Sequence, residues 1–370
     1  MKVLIIGTLP SSLYNFRGQL LRCLTDISTS VKALASGATD TEIETVELLG
    51  AEYIDYPVSR SGLNPTTDIK TFKYLRNVFI EQQPNLILAY TIKPIIWGAF
   101  SARSVPNCRF YALVTGLGFA FQDGNWKKKL LMKLVIFLYK TALKRAEKVI
   151  FQNPDNRQVF IDLGIVSELK TAIVNGSGVD VLHFEVKPLP TLPKFLLIAR
   201  LLGDKGIREY IQAANIVKQK YPNAVFNLVG PEDPSPDGIT VDEITRLNSF
   251  NAVKYLGATN DVRPYIEDCS IFVLPSYHEG LPRTVLEAMA TGRPILTTDV
   301  PGCRETVVNG ENGWLVEKAN VDQLVERMIW FIENQEQWQT MAKNSRRMAM
   351  EKFDVKKVNT DLLKIMELVK

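Results

Sequence analysis

The sequence predicts an α/β protein built from two doubly wound domains. Short, continuous apolar runs alternate with helical stretches, which is typical of parallel strands buried on both faces of a sheet. The alternation occurs twice along the 370 residues, a length that accommodates two ordinary domains. Between the two series lies Val186–Pro193, whose three prolines resist helix and central strand.

The first series of strands begins at the N-terminus. The opening apolar run is too short for the core of a signal peptide and is typical of a β-strand. Helical stretches separate the later runs, so strand–helix–strand units and a parallel sheet are expected. The predicted strands are Val3–Ile6, Val31–Ala35, Leu86–Tyr90, Phe110–Val114 and Lys148–Phe151.

The second series follows the proline-rich segment and has the same pattern. Its predicted strands are Phe195–Ala199, Val225–Val229, Val253–Leu256, Ile271–Leu274 and Ile295–Thr297. The chain end, from Val321 to Val369, has a helical pattern that breaks at Phe353–Asp354.

These patterns predict the domain limits. We expect an N-terminal domain at 1–185, a hinge at 186–193, a C-terminal domain at 194–350 and a C-terminal helix at 351–370. Ligands of doubly wound sheets bind beyond the carboxyl ends of the strands. The expected active site is therefore a central cleft that the two domains face.

The composition excludes several classes of protein. The four cysteines form no C-x-x-C pair, and with only two histidines, His183 and His278, a zinc site is not expected. Free thiols are typical of a reducing compartment. No apolar run reaches the ~18 residues of a spanning helix. We therefore expect a cytoplasmic protein.

The segment from Pro275 to Ala290 carries the strongest chemical pattern. A buried strand ends at Pro275, a loop with Glu279 and Gly280 follows, and Leu281-Pro282 precede a helix. Helix N-termini hold phosphate, and glycine permits close approach of a ligand to the backbone. Glu287, one turn into the helix, is placed to accept hydrogen bonds from the hydroxyls of a ribose. Alternatively, the two glutamates are solvated surface charges.

A second pattern follows the strand that begins at Phe195. Arg200 stands at the end of this strand, and Lys205 follows five residues later, before a helix. Arginine binds phosphate oxygens with two parallel hydrogen bonds, and lysine adds a point charge. Together they can stabilise a departing diphosphate. The alternative interpretation is a pair of ordinary loop cations.

Arg200-x4-Lys205 followed by Glu279-x7-Glu287 resembles the nucleotide-sugar signature of the family 4 glycosyltransferases. The resemblance implies the GT-B fold of two Rossmann-like domains, with the C-terminal helix returning to the N-terminal domain. It implies that Arg200 and Lys205 bind the donor diphosphate, that Glu279 contacts the donor sugar, and that Glu287 binds the ribose. Gly230, after a strand, resembles the family's turn near the nucleotide, and Asn175–Asp180 resembles its loop ahead of the hinge.

The same resemblance implies transfer with retention of the anomeric configuration. Metal-dependent glycosyltransferases of the other major fold use an Asp-x-Asp motif, which is absent from this sequence. Arg200, Lys205 and the helix N-terminus are expected to neutralise the diphosphate instead. We therefore expect neither a metal nor another cofactor.

The N-terminal half resembles a narrower subgroup, which builds capsule, O-antigen and other surface glycans on polyprenyl-diphosphate carriers. The resemblance rests on Tyr14–Arg17, Ser59–Pro65 and Val114–Phe119. It implies that the acceptor is a lipid-linked saccharide and that the donor is a UDP-N-acetylhexosamine. For the charged residues of this set, a role as surface or structural charges stays open. The implied acceptor residues are Asn15, Arg17, Arg60, Lys93, Thr115 and Gly116.

The stretch Trp126–Lys148 supports a lipid-linked acceptor. It holds eight Lys or Arg residues against one acidic residue, Glu147, together with leucines and Phe137. Such a helix can lie in the interface of an anionic bilayer, so we expect association with the inner face of the membrane through Lys127, Lys128, Lys129 and Lys133. Alternatively, it is a core-packing helix with a solvated basic face. Nucleic acid is not expected, since no recognition motif accompanies the charge.

The sequence therefore predicts a peripheral membrane enzyme that moves a sugar from a nucleotide-sugar donor to a lipid-linked acceptor. One alternative is a GT-B epimerase that hydrolyses UDP-sugars, against which the basic amphipathic helix argues. Another is a catalytically inactive partner in a polysaccharide assembly complex, against which the presence of all four donor-site residues argues.

Overall fold

The structure is a computed structural model that describes residues 1–59, 64–118, 121 and 126–369. The chain forms two compact units. The first unit contains residues 1–177 and 358–370, and the second contains residues 178–357.

The first unit is built on a parallel sheet of seven strands in the order β3-β2-β1-β4-β5-β6-β7. The order reverses direction between β1 and β4, which defines a doubly wound sheet with its switch point there. The strands are β1 (Lys2–Ile6), β2 (Ser30–Ala35), β3 (Glu52–Asp55), β4 (Leu86–Tyr90), β5 (Arg109–Val114), β6 (Lys148–Phe151) and β7 (Thr171–Ile173). The helices are α1 (Pro10–Ile27), α2 (Asp40–Glu47), α3 (Pro65–Gln82), α4 (Ile92–Ser101), α5 (Trp126–Ala142) and α6 (Pro154–Asp162).

The second unit repeats this plan with six parallel strands in the order β10-β9-β8-β11-β12-β13. Its switch point lies between β8 and β11. The strands are β8 (Lys194–Ile198), β9 (Val225–Val229), β10 (Val253–Tyr255), β11 (Ile271–Leu274), β12 (Ile295–Thr298) and β13 (Gly313–Val316). The helices are α7 (Ile207–Lys220), α8 (Val241–Leu247), α9 (Arg263–Glu267), α10 (Arg283–Ala290), α11 (Val321–Glu333) and α12 (Trp338–Met348).

Alternate residues of the central strands enter opposite cores. In β1, Leu4 and Ile6 pack into one apolar cluster, whereas Val3 and Ile5 pack into another on the opposite face. The side chains of β8, the central strand of the second unit, also alternate between two apolar clusters on opposite faces of the sheet. Because side chains alternate across a strand, a strand covered on both faces must be apolar at every position. This explains why continuous apolar runs predicted these strands.

The last helix, α13 (Val355–Ile365), carries the chain back to the first unit. Leu362, Leu363 and Met366 join the apolar cluster that contains Val3 and Ile5. The Met366 carbonyl accepts hydrogen bonds from Arg109 at 3.2 Å and Tyr111 at 3.1 Å. The predicted return of the C-terminus is thus confirmed. A π-helical segment at Ala349–Phe353 ends just before Asp354, where the sequence predicted a break.

The unit boundaries differ from the predicted limits at 185 and 350. Residues 178–193, which include the proline-rich segment, belong to the second unit, and the return to the first unit begins at Val358. Val179 pairs with the end of the π-helical segment, since its N–H donates to the Phe353 carbonyl at 2.8 Å. Arg346 donates to the Phe184 carbonyl at 2.9 Å. Proline content predicted an irregular segment but not which unit holds it.

A buried arginine fixes the proline-rich segment to the second unit. Arg293 is completely buried, and its guanidinium donates to the carbonyls of Lys187 at 2.9 Å and Ile266 at 2.9 Å. It also donates to Pro188 at 3.3 Å and Glu267 at 3.0 Å. Burial lowers the pKa of Arg293, but four carbonyl acceptors compensate for the lost hydration of the cation.

None of the helices in the described residues is both long and apolar enough to cross a bilayer.

We predict that Arg293→Met destabilises the second unit by roughly 3 kcal/mol, because it leaves buried carbonyls without a donor. Urea unfolding monitored by tryptophan fluorescence measures the change. Arg347→Met, on the exposed side of α12, is the control and is expected to stay within ~0.5 kcal/mol of the native chain. An equal, small effect of both substitutions would contradict this role of Arg293.

Candidate active site

The structure brings Lys205 and Glu279 together at the carboxyl edge of the second sheet. Lys205 ends a short helical turn after β8, and Glu279 lies in the loop after β11. Because β8 and β11 are parallel neighbours, both loops leave the sheet at the same edge. The Lys205 Nζ atom lies 2.7 Å from Glu279 Oε1, and both side chains are about 15% exposed (15% and 16%).

This ion pair keeps Lys205 charged in a largely buried position. Burial lowers the pKa of Lys205, but the negative charges of Glu279 and Asp204 outweigh this effect and raise it above its usual value. Lys205 is therefore a fixed positive charge at the carboxyl edge of the second sheet.

Arg200 pairs with Asp233, a residue that sequence reasoning missed. Asp233 follows β9, and its carboxylate contacts the Arg200 guanidinium. Although burial raises the pKa of Asp233, hydrogen bonds from Ser235 and the charge of Arg200 lower it to about 2. The Arg200 side chain is 44% exposed, so its guanidinium is accessible to a second anion. A phosphate group would compete with Asp233 for this cation.

The loop from Pro275 to Pro282 is held by backbone contacts. The N–H of Tyr277 donates to the Asp204 carbonyl at 2.7 Å, and the N–H of Glu279 donates to the Pro301 carbonyl at 3.1 Å. Gly302 has φ +86°, and a Cβ atom there would lie 2.6 Å from the Glu279 carbonyl oxygen. The close approach of Gly302 thus fixes the backbone that carries Glu279.

The helix α10 begins after Pro282, and its residues from Val285 onward are buried. Gly280, Leu281 and Pro282 are buried next to its N-terminus. Glu287 is also buried, where it accepts a hydrogen bond from Arg283 Nε at 2.8 Å. Burial raises the pKa of Glu287, and the Arg283 charge only partly offsets this. The alternative of an exposed helix charge is therefore wrong for Glu287. Sequence reasoning missed Arg283, although its i, i+4 spacing from Glu287 on a helix could have indicated this ion pair.

Gly230 lies just after β9, beside the strand that leads to Arg200. Its φ is +153°, and a Cβ atom would lie only 1.7 Å from the Ala199 carbonyl oxygen. The Tyr255 hydroxyl donates to the Gly230 carbonyl at 2.8 Å. No larger residue fits this turn without moving β8 or β9.

In the first unit, the predicted acceptor residues follow the carboxyl ends of β1, β4 and β5. Asn15 is exposed on α1, whereas Arg17 is buried, and its guanidinium lies 5.5 Å from the centre of the Tyr90 ring. Arg17 is therefore not a surface charge. Thr115 and Gly116 are half-buried after β5, and Arg60 lies outside the described residues.

Lys93 is held on the first turn of α4. Its Nζ atom lies 2.9 Å from Asp68 Oδ1 and donates to the Ser59 hydroxyl at 2.9 Å. The Lys93 side chain is 14% exposed, so it is not an ordinary surface charge either. Asp68 is a partner that sequence reasoning missed.

Thr91, between β4 and α4, was also missed. It has φ +69° and ψ 160°, a backbone conformation that residues other than glycine rarely adopt. Its hydroxyl lies 2.8 Å from that of Thr8, which follows β1. Such strain costs ~1–3 kcal/mol and is concentrated at functional sites. No pattern in the sequence signals it.

The described residues contain no group of three His, Cys, Asp or Glu side chains arranged to hold a metal ion.

Two doubly wound units, with paired cations and carboxylates at the switch point of the second, have the architecture of the GT-B class. The model of the family "Glycosyl transferases group 1" matches residues 180–348. A Campylobacter jejuni enzyme named N,N'-diacetylbacillosaminyl-diphospho-undecaprenol alpha-1,3-N-acetylgalactosaminyltransferase is 32% identical over 365 residues, which cover 95% of this chain and 94% of that protein. The chain belongs to the group 1 glycosyl transferases.

A second relative is the Escherichia coli UDP-Gal:alpha-D-GlcNAc-diphosphoundecaprenol alpha-1,3-galactosyltransferase. It is 26% identical, with 78% of this chain and 77% of that protein covered. Among solved structures, sucrose-phosphate synthase from Thermosynechococcus elongatus matches with a TM-score of 0.81 at 18% identity, covering 99% of this chain and 98% of the other. The Anabaena protein HepE in complex with UDP-glucose matches with a TM-score of 0.81 at 20% identity, covering 100% of both chains. These structures confirm the GT-B fold.

We predict that Gly302→Ala lowers transfer activity by about 10²-fold, because the new methyl group displaces the backbone that carries Glu279. Steady-state kinetics on the purified chain measures the loss. Gly310→Ala is the matched control, since Gly310 has a similar φ of +78° but only ordinary contacts around its Cβ position. Equal activity losses in the two variants would point to backbone strain alone and contradict the positional role of Gly302.

Proposed function

We propose that this glycosyltransferase moves an N-acetylhexosamine from a UDP-sugar to a polyprenyl-diphosphate-linked saccharide during surface glycan assembly. The observation that carries the proposal is the similarity to the Campylobacter jejuni N-acetylgalactosaminyltransferase, which is 32% identical over 95% of this chain. That relative and the Escherichia coli galactosyltransferase both have names that specify a diphospho-undecaprenol-linked acceptor. Acceptors of this kind are shared by relatives with different sugar donors.

In the proposal, the donor binds at the carboxyl edge of the second sheet. Arg200 and Lys205 hold the diphosphate, and Glu279 contacts the sugar to be transferred. Glu287 accepts hydrogen bonds from the ribose hydroxyls, with Gly230, Gly280, Leu281 and Pro282 forming the surrounding backbone. The 2.7 Å contact between Lys205 and Glu279 supports this assignment, because it brings a cation and a carboxylate to the same edge of the sheet.

The proposed reaction retains the anomeric configuration. An acceptor hydroxyl attacks the anomeric carbon from the side of the leaving group, and the bond between that carbon and the β-phosphate oxygen breaks. The departing phosphate takes the hydroxyl proton, so no protein base is needed. Arg200 and Lys205 stabilise the charge that develops on the diphosphate. We propose that no metal ion takes part.

The acceptor diphosphate is proposed to bind in the first unit. Arg17, Lys93 and Arg60 supply positive charge, and Asn15, Thr115 and Gly116 supply polar groups and backbone. The support is the position of Lys93, whose charge is held at the N-terminus of α4, where backbone N–H groups also favour an anion.

We further propose that the enzyme lies on the cytoplasmic face of an anionic membrane through α5. Trp126 is 70% exposed, Leu130 62%, Leu134 44% and Phe137 64%, so the helix presents an apolar stripe outward. Lys127, Lys128, Lys129 and Lys133 lie around the stripe. The alternative of a purely core-packing helix accounts for Val135 and Tyr139, which are buried, but not for this stripe.

The function is tested by measuring UDP release from a panel of UDP-sugars, with EDTA present, with and without a polyprenyl-diphospho-sugar. We expect UDP release to require the acceptor. We also expect Glu279→Gln and Arg200→Ala each to reduce this release by about 10²-fold. Release without acceptor would indicate the hydrolysing epimerase. No release with any donor would favour the inactive partner or another nucleotide. Loss of release on adding EDTA would contradict metal independence.

Membrane binding is tested by co-sedimentation with vesicles that contain phosphatidylglycerol. We expect the double substitution of Leu130 and Leu134 by Asp to weaken binding by at least about tenfold, since each buried leucine contributes ~1.5–3 kcal/mol. Replacing the four lysines by serine is expected to weaken binding mainly at low salt. Leu48→Asp, at an 84% exposed position outside α5, is the control. Unchanged binding of the leucine variant would show that α5 is not the membrane contact.

A further inference from the structure

A groove on the first unit lies between α3, α4 and α5. Its volume is about 540 Å³, within the range of ~300–1,000 Å³ that small-molecule sites occupy. It is separate from the residues proposed to bind the acceptor diphosphate. The lining residues are Phe72, Arg76, Trp97, Phe100, Ser101, Arg103, Ser104 and Leu138.

The walls of this groove are apolar in chemical character. The Trp97 and Phe100 rings lie 5.9 Å apart and form one side. The two serine hydroxyls are engaged by the backbone: Ser101 donates to the Phe72 carbonyl at 3.0 Å, and Ser104 donates to the Ser101 carbonyl at 2.8 Å. With these hydroxyl protons engaged, the groove favours hydrocarbon over a polar ligand.

The groove begins one helical turn from Lys93. Trp97 follows Lys93 by four residues on α4, and Phe72 follows Asp68 by four residues on α3. Residues four apart lie on the same face of a helix, about 6 Å along its axis. The Lys93–Asp68 ion pair, at 2.9 Å, therefore stands at one end of a track that continues over Phe72 and Trp97. A ligand with an anionic head at Lys93 would place its tail in the groove.

The other end of the groove is bordered by arginines. The Arg103 guanidinium lies 4.7 Å from the centre of the Phe100 ring and donates to the Thr141 carbonyl at 2.8 Å. Arg76 is exposed, one turn beyond Phe72 on α3. The aliphatic stems of such arginines can cover hydrocarbon while their charged ends stay in a polar interface.

One lining residue of the groove belongs to α5, the helix that carries the outward stripe. Leu138 lines the groove, and the adjacent Phe137 belongs to the stripe that is proposed to enter the membrane surface. A hydrocarbon chain in the groove would therefore lie beside the helix that is proposed to contact the membrane.

We infer that this groove binds the first isoprene units of the acceptor's polyprenyl chain, whose diphosphate lies at Lys93. The inference rests on the proposed function, because it assigns a position to the lipid of that acceptor. A phospholipid, which also joins a phosphate to hydrocarbon, is the alternative occupant that the photolabelling competition distinguishes.

Photolabelling tests the groove without any transfer reaction. The native chain is irradiated with geranyl diphosphate that carries a benzophenone at the end of its two isoprene units, and the labelled peptides are sequenced. Label on α3 and α4, competed by unmodified geranylgeranyl diphosphate, is expected. Label that a phosphatidylglycerol dispersion displaces equally well would assign the groove to phospholipid. Label confined to the α5 stripe, or absent, would also overturn the inference.

Transfer kinetics supply a second test, with geranyl, geranylgeranyl and undecaprenyl diphospho-sugar acceptors. We expect kcat/KM to rise with chain length by at least about tenfold, and Phe72→Asp or Ser104→Trp to remove most of this preference. Ser104→Trp fills the groove with an apolar side chain and guards against misfolding of the aspartate variant. Ile80→Asp, at an exposed position on the same helix, is the control and is expected to keep the preference. A preference retained in both groove variants would overturn the inference.

Failure of the proposed function and failure of the inference about the groove give different results. If no acceptor supports transfer, the proposed function fails, whereas the photolabelling result still decides whether the groove binds a polyprenyl chain.

Discussion

The parallel pairing of β8 with β11 is the constraint on which the candidate donor site depends. These strands are neighbours in space but are separated in sequence by two further strands and their helices. Their pairing at the switch point places the loop of Lys205 beside the loop of Glu279. Apolar side chains on both faces of each strand stabilise the pairing, so the precision of the site derives from the core beneath it.

The charged groups of this site are paired with one another. Lys205 contacts Glu279, Arg200 contacts Asp233, and Arg283 contacts Glu287. An isolated charge in a partly buried loop loses much of its hydration, and an opposite charge nearby offsets that loss. The ion pairs therefore hold the three cations in position. In the proposed reaction, a diphosphate would exchange for the carboxylate at Arg200, where the side chain is the more exposed.

The first unit combines a strained backbone with a buried cation at the corresponding edge of its sheet. Thr91 has a positive φ directly after β4, and Arg17 lies over the ring of Tyr90, the last residue of that strand. Burial raises the pKa of the Tyr90 hydroxyl to about 12, so the ring stays neutral beside the guanidinium. The same edge leads through Lys93 to the apolar groove. The proposed sites for the diphosphate and for the hydrocarbon thus lie along one helix, α4.

The sequence by itself determined the two doubly wound sheets, because strands buried on both faces must be apolar at every position. Ten strands were predicted from such runs, and all ten are present. The three that were missed, β3, β7 and β13, are at sheet edges, where short or partly polar segments give a weak signal. The family was also evident, since Arg200-x4-Lys205 and Glu279-x7-Glu287 have the spacing of its signature.

Only the tertiary structure decided which residues meet. Asp233 and Asp68 gave no signal because their partners are distant in sequence. The unit boundary at Ser177 depends on hydrogen bonds made by Arg346 and on the pairing of Val179 with the segment before α13. The groove requires side chains from α3, α4, α5 and the short turn after α4. Local sequence determines which segments are buried, whereas long-range packing determines what each buried group contacts, and this cannot be deduced from spacing along one chain.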